Sequence, residues 1–221
     1  MNHKDVFTLD VNSWMDFENL YDHIAKQKSG LTVEVGSWQG SSACYMALKL
    51  KEYNKLGINS PNLTKFYCID TFSGIPNDTQ PDQRVIAIDG IPIKEIFIKN
   101  AKTLGLSVFE HPLSRIRYIQ DLADIFTEIQ ILHTDSITGL NLFDDKSVDF
   151  IFLDGEHNYA TVVKEIELAK LKIKDDGWIG GHDWTDGGVQ AAVRNTLGNV
   201  EEWISTRDNV TRASWLWRQN G

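Results

Sequence analysis

Two short runs carry residue types that could do chemistry: Asp154-Gly155-Glu156-His157 closes one apolar stretch, and His182-Asp183 closes another. A histidine has an ordinary pKa near 6.5, so His157 suits a general base that takes a hydroxyl proton at neutral pH. Asp154 and Asp183, if brought within a few ångströms, would repel unless one were protonated or a cation lay between them. A divalent ion resolves that conflict, with Asp154 and Asp183 as oxygen ligands and His182 as a nitrogen ligand. Oxygen-rich ligation suggests Mg²⁺, whereas a histidine in the shell moves the preference toward Mn²⁺ or another transition ion. The plainer alternative is that both acids cap strand ends by accepting from backbone N–H groups.

The elements that must position these residues follow from hydrophobic pattern. Val148, Phe150, Ile151, Phe152 and Leu153 form a near-continuous apolar run, which suits a strand buried on both faces of a parallel sheet. Asp154-Gly155 ends it, and a helical period follows through Val162, Val163, Ile166, Ala169 and Leu171. Trp178 to Gly181 reads as the next strand. Successive strands in a doubly wound sheet lie about 5 Å apart, so Asp154 and Asp183 should converge at the carboxyl edge, where open α/β sheets bind ligands.

Earlier in the chain, Leu31 to Val35 reads as a strand, Gly36 to Gly40 as a tight loop and Ser41 to Tyr53 as a helix. Such a loop brings backbone N–H groups close to a ligand. It lacks the second and third glycines of a dinucleotide fingerprint, since Trp38 and Ser41 stand there, and no Gly-Lys-Ser/Thr follows for a phosphate loop. Glu34, inside the strand end, suits a ligand carrying an ammonium group better than one carrying a pyrophosphate. The next strand, Phe66 to Ile69, ends in Asp70, whose carboxylate could accept from both hydroxyls of a ribose. Ile129 to Leu132 forms a further strand closed by His133-Thr134-Asp135-Ser136. Asp135 and Ser136 could equally cap the short helix that follows.

The segment Glu34-Val-Gly-Ser-Trp-Gln-Gly-Ser-Ser42 resembles motif I of class I S-adenosylmethionine-dependent methyltransferases, and Asp70-Thr71-Phe72 is similar to their ribose-binding strand end. Asp154-Gly-Glu-His-Asn-Tyr and Gly-Gly-His182-Asp183-Trp resemble the metal-dependent O-methyltransferases that act on macrolide sugars, with chains called cephalosporin hydroxylases nearby and catechol O-methyltransferase more distant. The resemblance covers roughly residues 31 to 183. It implies a Rossmann-like α/β fold: a doubly wound, mostly parallel seven-stranded sheet ending in a C-terminal antiparallel hairpin. It implies S-adenosyl-L-methionine bound by Glu34, Gly36, Ser37, Gly40, Ser42, Asp70, Thr71, Asp135, Ser136 and Asp154. It also implies a cation (Mg²⁺ or Mn²⁺) on Asp154 and Asp183, with His182 standing where an oxygen ligand is more usual. The expected acceptor is a small hydroxylated molecule, a sugar or glycosylated natural product, deprotonated by His157.

Two other readings stay open: a hydroxylase with a two-histidine, one-carboxylate iron site on His157, His182 and an aspartate, and a silent cofactor-binding subunit. The length of 221 residues with 42% hydrophobic content suits one domain over 1–221. Residues 1–28 would be a helical extension, with Trp14, Phe17, Leu20, Tyr21, Ile24 and Ala25 on its apolar face and Asn12 or Ser13 as its cap, and 75–127 an insertion that suits a lid. Gly187-Gly188 opens a last helix, and Val200 to Thr206 with Thr211 to Arg218 alternate as a hairpin. Its Trp203, Trp215 and Trp217 suit core or interface, which leaves a homo-oligomer open. A net charge of −9 argues against nucleic acid or an anionic membrane as partner. There is no bilayer-length apolar run, and MNHKDVFTLD lacks the order of a signal peptide, so a cytoplasmic protein is expected. Cys44 and Cys68 read as buried thiols of a reducing compartment.

Overall fold

A computed structural model describes residues 15–27, 30–57, 65–73, 87–113 and 128–220. Its centre is an eight-stranded sheet. In chain order the elements are α1 (Glu18–Gln27), β1 (Leu31–Val35), α2 (Ser41–Lys55), β2 (Lys65–Asp70), β3 (Ala87–Ile88), β4 (Ile91–Pro92), α3 (Ile93–Thr103) and β5 (Val108–Glu110). They continue as β6 (Ile129–His133), α4 (Ser136–Asn141), β7 (Val148–Leu153), α5 (Tyr159–Lys172), β8 (Ile173–Gly181), α6 (Gly187–Leu197), β9 (Glu201–Ile204) and β10 (Arg212–Arg218). The sheet order is β5-β6-β2-β1-β7-β8-β10-β9, parallel from β5 to β8, with β10 antiparallel to both its neighbours.

The expected doubly wound sheet and terminal hairpin are therefore present, with one strand more. That strand, β5, pairs with β6 on the outer edge. It is three residues long and lies in a stretch whose sequence shows no alternation, so periodicity could not find it. Residue parity in the strands sorts the core into two layers. Phe150, Phe152, Phe66 and Cys68 face α1, α2 and α3, while Ile151, Leu153, Tyr67 and Ile69 face α4, α5 and α6. Both cysteines are buried free thiols.

Helix starts are set by short polar side chains. Asp135, Asn158 and Asp186 accept from first-turn N–H groups of α4, α5 and α6. The first helix begins only at Glu18; the cap expected at Asn12 or Ser13, and Trp14, lie outside the described residues, but Phe17, Leu20, Tyr21, Ile24 and Ala25 are buried as expected. Of the expected lid, residues 75–86 and 114–127 lie outside the described residues, and Ile93, Phe97 and Ala101 of α3 are fully buried in the core.

The strand order reverses between β1 and β7, and there the two carboxyl-end loops touch. Gly36 donates to Ile69 O at 2.9 Å and Asp154 to Val35 O at 2.8 Å, so the ladder runs past the strand ends. Gly36 has φ 83°, and a Cβ there would sit 2.2 Å from the Asp154 carbonyl oxygen. The left-handed conformation costs other residues about 1–2 kcal/mol before any clash. Gly36→Ala should therefore lose at least about 2 kcal/mol of unfolding free energy in urea titration. A loss within 0.5 kcal/mol, about the scatter of surface substitutions, would show that the two loops do not press together.

Candidate active site

A cavity of about 680 Å³ opens at the carboxyl edge over β2, β1, β7 and β8. That volume lies within the usual range for small-molecule sites. At one end the glycine loop is tied down by Asp70, whose Oδ2 accepts from the Ser37 and Trp38 N–H groups at 2.8 Å each and whose Oδ1 accepts from Phe72 N at 2.6 Å. Gly36, Ser37, Ser42, Asp70 and Thr71 line this end, and Asp135 and Ser136 line the cavity beyond it. Asp135 also caps α4, accepting from Thr138 N at 2.9 Å, so its capping role and its place on the cavity wall coexist.

Two expected cofactor residues are set back from the cavity. The Glu34 side chain is buried beneath the wall, where it accepts from Tyr21 Oη at 2.6 Å and Ser42 Oγ at 3.1 Å. Strand alternation turns it to the α1/α2 face, so its oxygens brace the loop rather than meet a ligand's ammonium group directly. Burial pushes its pKa up to about 7 despite those hydrogen bonds. Gly40, with φ 82°, is pressed against the Phe97 ring and serves packing.

The other end holds the acid and histidine cluster. His182 donates its backbone N–H to Leu153 O at 3.2 Å, which continues the β7–β8 pairing and sets the two strand ends side by side. Asp154, His182 and Asp183 each offer one ligand atom, and these atoms all lie within 4.8 Å of one another. His182 Nδ1 is 3.3 Å from Asp154 Oδ1 and 3.4 Å from Asp183 Oδ1. His157, three residues beyond Asp154, is not helical. It stands in the loop before α5, with Nε2 2.9 Å from Asp183 Oδ2. Asp183 has φ 54°, an uncommon backbone for a non-glycine residue that aspartate tolerates better than most.

Charges follow this geometry. The Asp183 hydrogen bond lifts His157 to about 8, against the opposing effect of burial. Burial disfavours a charged His182, but Asp154 and the other carboxylates around it prevail and push it up to about 12. Burial lifts Asp154 above the usual carboxylate value although His182 pulls it down. Burial also works against ionised Asp183, and there the two imidazoles win and hold it well below its ordinary value.

Sequence reading missed four residues here. Ser41, in the first turn of α2, lines the cavity, and its buried Oγ has no hydrogen-bond partner among the described residues. Arg207 reaches the cavity from the β9–β10 turn. Asp16 lies behind His182, at 2.9 Å from Nε2. Glu165 of α5 is 2% exposed and lines the cavity. The only signal for Glu165 was its place one residue before Ile166 on a helix whose buried face is wide, and an isolated glutamate on a helix ordinarily reads as solvent-facing.

Most residues of this edge fall in a single match: a methyltransferase-domain family model covers residues 33–184. The chain belongs to that family. It is a class I S-adenosylmethionine-dependent methyltransferase, as its glycine loop and strand-end acids imply. Solved structures share the fold. The calicheamicin methyltransferase CalS11 aligns with a TM-score of 0.57 at 14% identity over 99% of this chain and 79% of its own. The O-methyltransferase NovP gives 0.59 at 16% identity, over 92% and 79%. The S-adenosylmethionine-dependent O-methyltransferase TM0748 from Thermotoga maritima gives 0.59 at 13% identity, over 98% and 70%. No curated protein matches the sequence. Among the described residues, no helix of the methyltransferase is long and apolar enough to cross a membrane.

Burial lifts the Glu165 carboxyl from its ordinary 4.5 to about 7, against a stabilising contact from Ser136. A raised carboxyl pKa costs nothing below pH 4.5, where both states are protonated, and costs progressively more as the pH rises through 7. The full difference is about 3 kcal/mol at 1.36 kcal/mol per unit. Glu165→Gln should match the parent's stability at pH 4 and exceed it by up to about 3 kcal/mol at pH 8 in urea titration. Equal stability at pH 8 would show that this carboxyl titrates normally.

Proposed function

We propose that the enzyme transfers the methyl group of S-adenosylmethionine to a hydroxyl of a small molecule, a sugar or glycosylated natural product, with a divalent cation and His157 assisting. The observation that carries this reading is that one cavity joins the glycine loop to the cluster of Asp154, His157, His182 and Asp183. A cofactor seated on the loop would have its reactive end beside those groups.

The residues present fit both expected groups. Asp70 and Thr71 offer ribose acceptors, and Ser41, with its unpaired buried hydroxyl, stands with Ser42 at the start of α2, where a helix N-terminus favours a carboxylate. The cavity is lined by Asp70, Asp135, Asp154, Glu156, Glu165 and Asp183, a surplus of acid that favours a sulfonium cation. Two carboxylates and an imidazole whose donor atoms converge within 4.8 Å suit a divalent ion, which Asp154, His182 and Asp183 would hold. Among the described residues the converging set contains one histidine, which favours this reading over a two-histidine iron site.

When bound, the cofactor supplies an electrophilic methyl group and the cation lowers the pKa of a nearby hydroxyl. Asp154 and Asp183 orient the acceptor at the cavity end. His157, once it has lost the proton that Nε2 shares with Asp183, takes the hydroxyl proton at that nitrogen. The acceptor oxygen bonds to the methyl carbon as the carbon–sulfur bond breaks, its electron pair leaving on sulfur. Positioning by the two strand ends supplies much of the acceleration. CalS11 is named a TDP-rhamnose 3'-O-methyltransferase, and that name supports a sugar as the acceptor class to test first.

Calorimetry should show S-adenosylhomocysteine binding to the purified chain, and a panel of nucleotide sugars and glycosides should reveal an acceptor by methyl transfer from labelled cofactor. His157→Ala should bind the product with unchanged affinity and lose at least about a hundredfold in kcat. Undiminished transfer would remove His157 as the base. Absence of product binding would overturn the cofactor site.

A further inference from the structure

His182 is held from both sides. Its Nε2 lies 2.9 Å from Asp16 Oδ1, and its Nδ1 faces Asp154 and Asp183. The Phe17 ring packs on it with centroids 5.0 Å apart, which fixes the ring plane. Asp16 is itself fixed: its second carboxylate oxygen accepts from Ser205 Oγ at 2.6 Å, and its carbonyl accepts from Thr206 N at 2.7 Å. The acid therefore reaches the histidine from the segment before α1, and the turn between β9 and β10 keeps it there.

We propose that Asp16 is a positioning residue for His182, keeping the ring's N–H on Nε2 and turning the Nδ1 lone pair to the cation, so that the enzyme selects Mn²⁺ over Mg²⁺. This rests on the cation site of the proposed function. A histidine that ligates a metal through one nitrogen commonly donates from the other to a carboxylate, which fixes tautomer and orientation and raises ligand basicity. The same arrangement is built here before any ion is considered. A set of one imidazole and two carboxylates favours a transition ion, because Mg²⁺ takes oxygen ligands and gains little from nitrogen. Asp16 is far from Asp154 in sequence, and only the docking of the chain's two ends places it behind the ring.

The test uses the full chain freed of metal by chelator and dialysis. Calorimetry should give a Kd for Mn²⁺ at least tenfold below that for Mg²⁺. Pulsed electron paramagnetic resonance of the Mn²⁺-loaded protein should show coupling to ¹⁴N, which His182→Asp abolishes while the preference moves toward Mg²⁺ and His157→Ala leaves in place. Asp16→Ala should weaken Mn²⁺ binding by about ten- to a hundredfold, and Asp16→Asn, which keeps an acceptor oxygen, should recover most of it. Ser205→Ala removes one of the two bonds that hold Asp16 while the backbone bond from Thr206 remains, and should weaken Mn²⁺ binding by less than Asp16→Ala does. Wild-type Mn²⁺ without nitrogen coupling, or Asp16→Ala binding Mn²⁺ as tightly as the parent, would overturn the inference while leaving a cation site intact. Failure of both ions to bind the wild type would overturn the cation site and this inference with it.

Discussion

Two carboxylates at the ends of neighbouring parallel strands govern this molecule. Asp154 closes β7, Asp183 follows β8, and the ladder between them continues to the His182 N–H. Like charges this close inside a recessed cleft demand compensation. The chain provides it twice, with His182 facing both acids and His157 bonded to the outer oxygen of Asp183. Pairing of the strands fixes how near the acids must be, so every other feature of the site answers to that separation.

The opposite end of the cavity is organised by hydrogen bonds rather than by charge. Asp70 gathers three backbone N–H groups, which folds the loop after β1 into a fixed curve. Gly36 allows that curve to rest on the Asp154 backbone, where a side chain would not fit. The two ends of the cavity are thereby set at one distance by a backbone contact between two adjacent strands. Positioning of this kind is what an in-line group transfer needs most.

Behind the cavity, the two ends of the described chain support one another. Asn19 donates to Ile204 O at 3.1 Å, and Thr206 bonds to both Asp16 and Glu18. Met15 and Phe17 thus become part of the cavity wall, although they precede the first helix. Glu34 plays a related part: buried and bonded to Tyr21 and Ser42, it joins α1 and α2 to β1 beneath the glycine loop.

Much of this was legible in the residues themselves. The apolar run of β7, the glycine loop and the acids at three strand ends follow local rules of burial and turn formation, so most strand, loop and helix bounds came out within a few residues, although β8 begins at Ile173 rather than at Trp178. Adjacency of Asp154 and Asp183 followed from the tendency of successive strands to be neighbours in the sheet. Depth was not legible. Whether Glu34 meets a ligand or lies one layer behind depends on how α1 packs, and whether Glu165 faces solvent depends on how far α5 rolls toward α4. Asp16 needed the most: its partner is 166 residues away, and local sequence carries no signal for a contact made only when the chain's ends dock. Sequence by itself determined the mostly parallel sheet, its terminal hairpin and which acids and histidines stand at its strand ends, because those are set by short-range pattern. Tertiary structure alone decided which acids touch the cavity and which carboxylates flank each nitrogen of His182, because those depend on packing between elements distant along the chain.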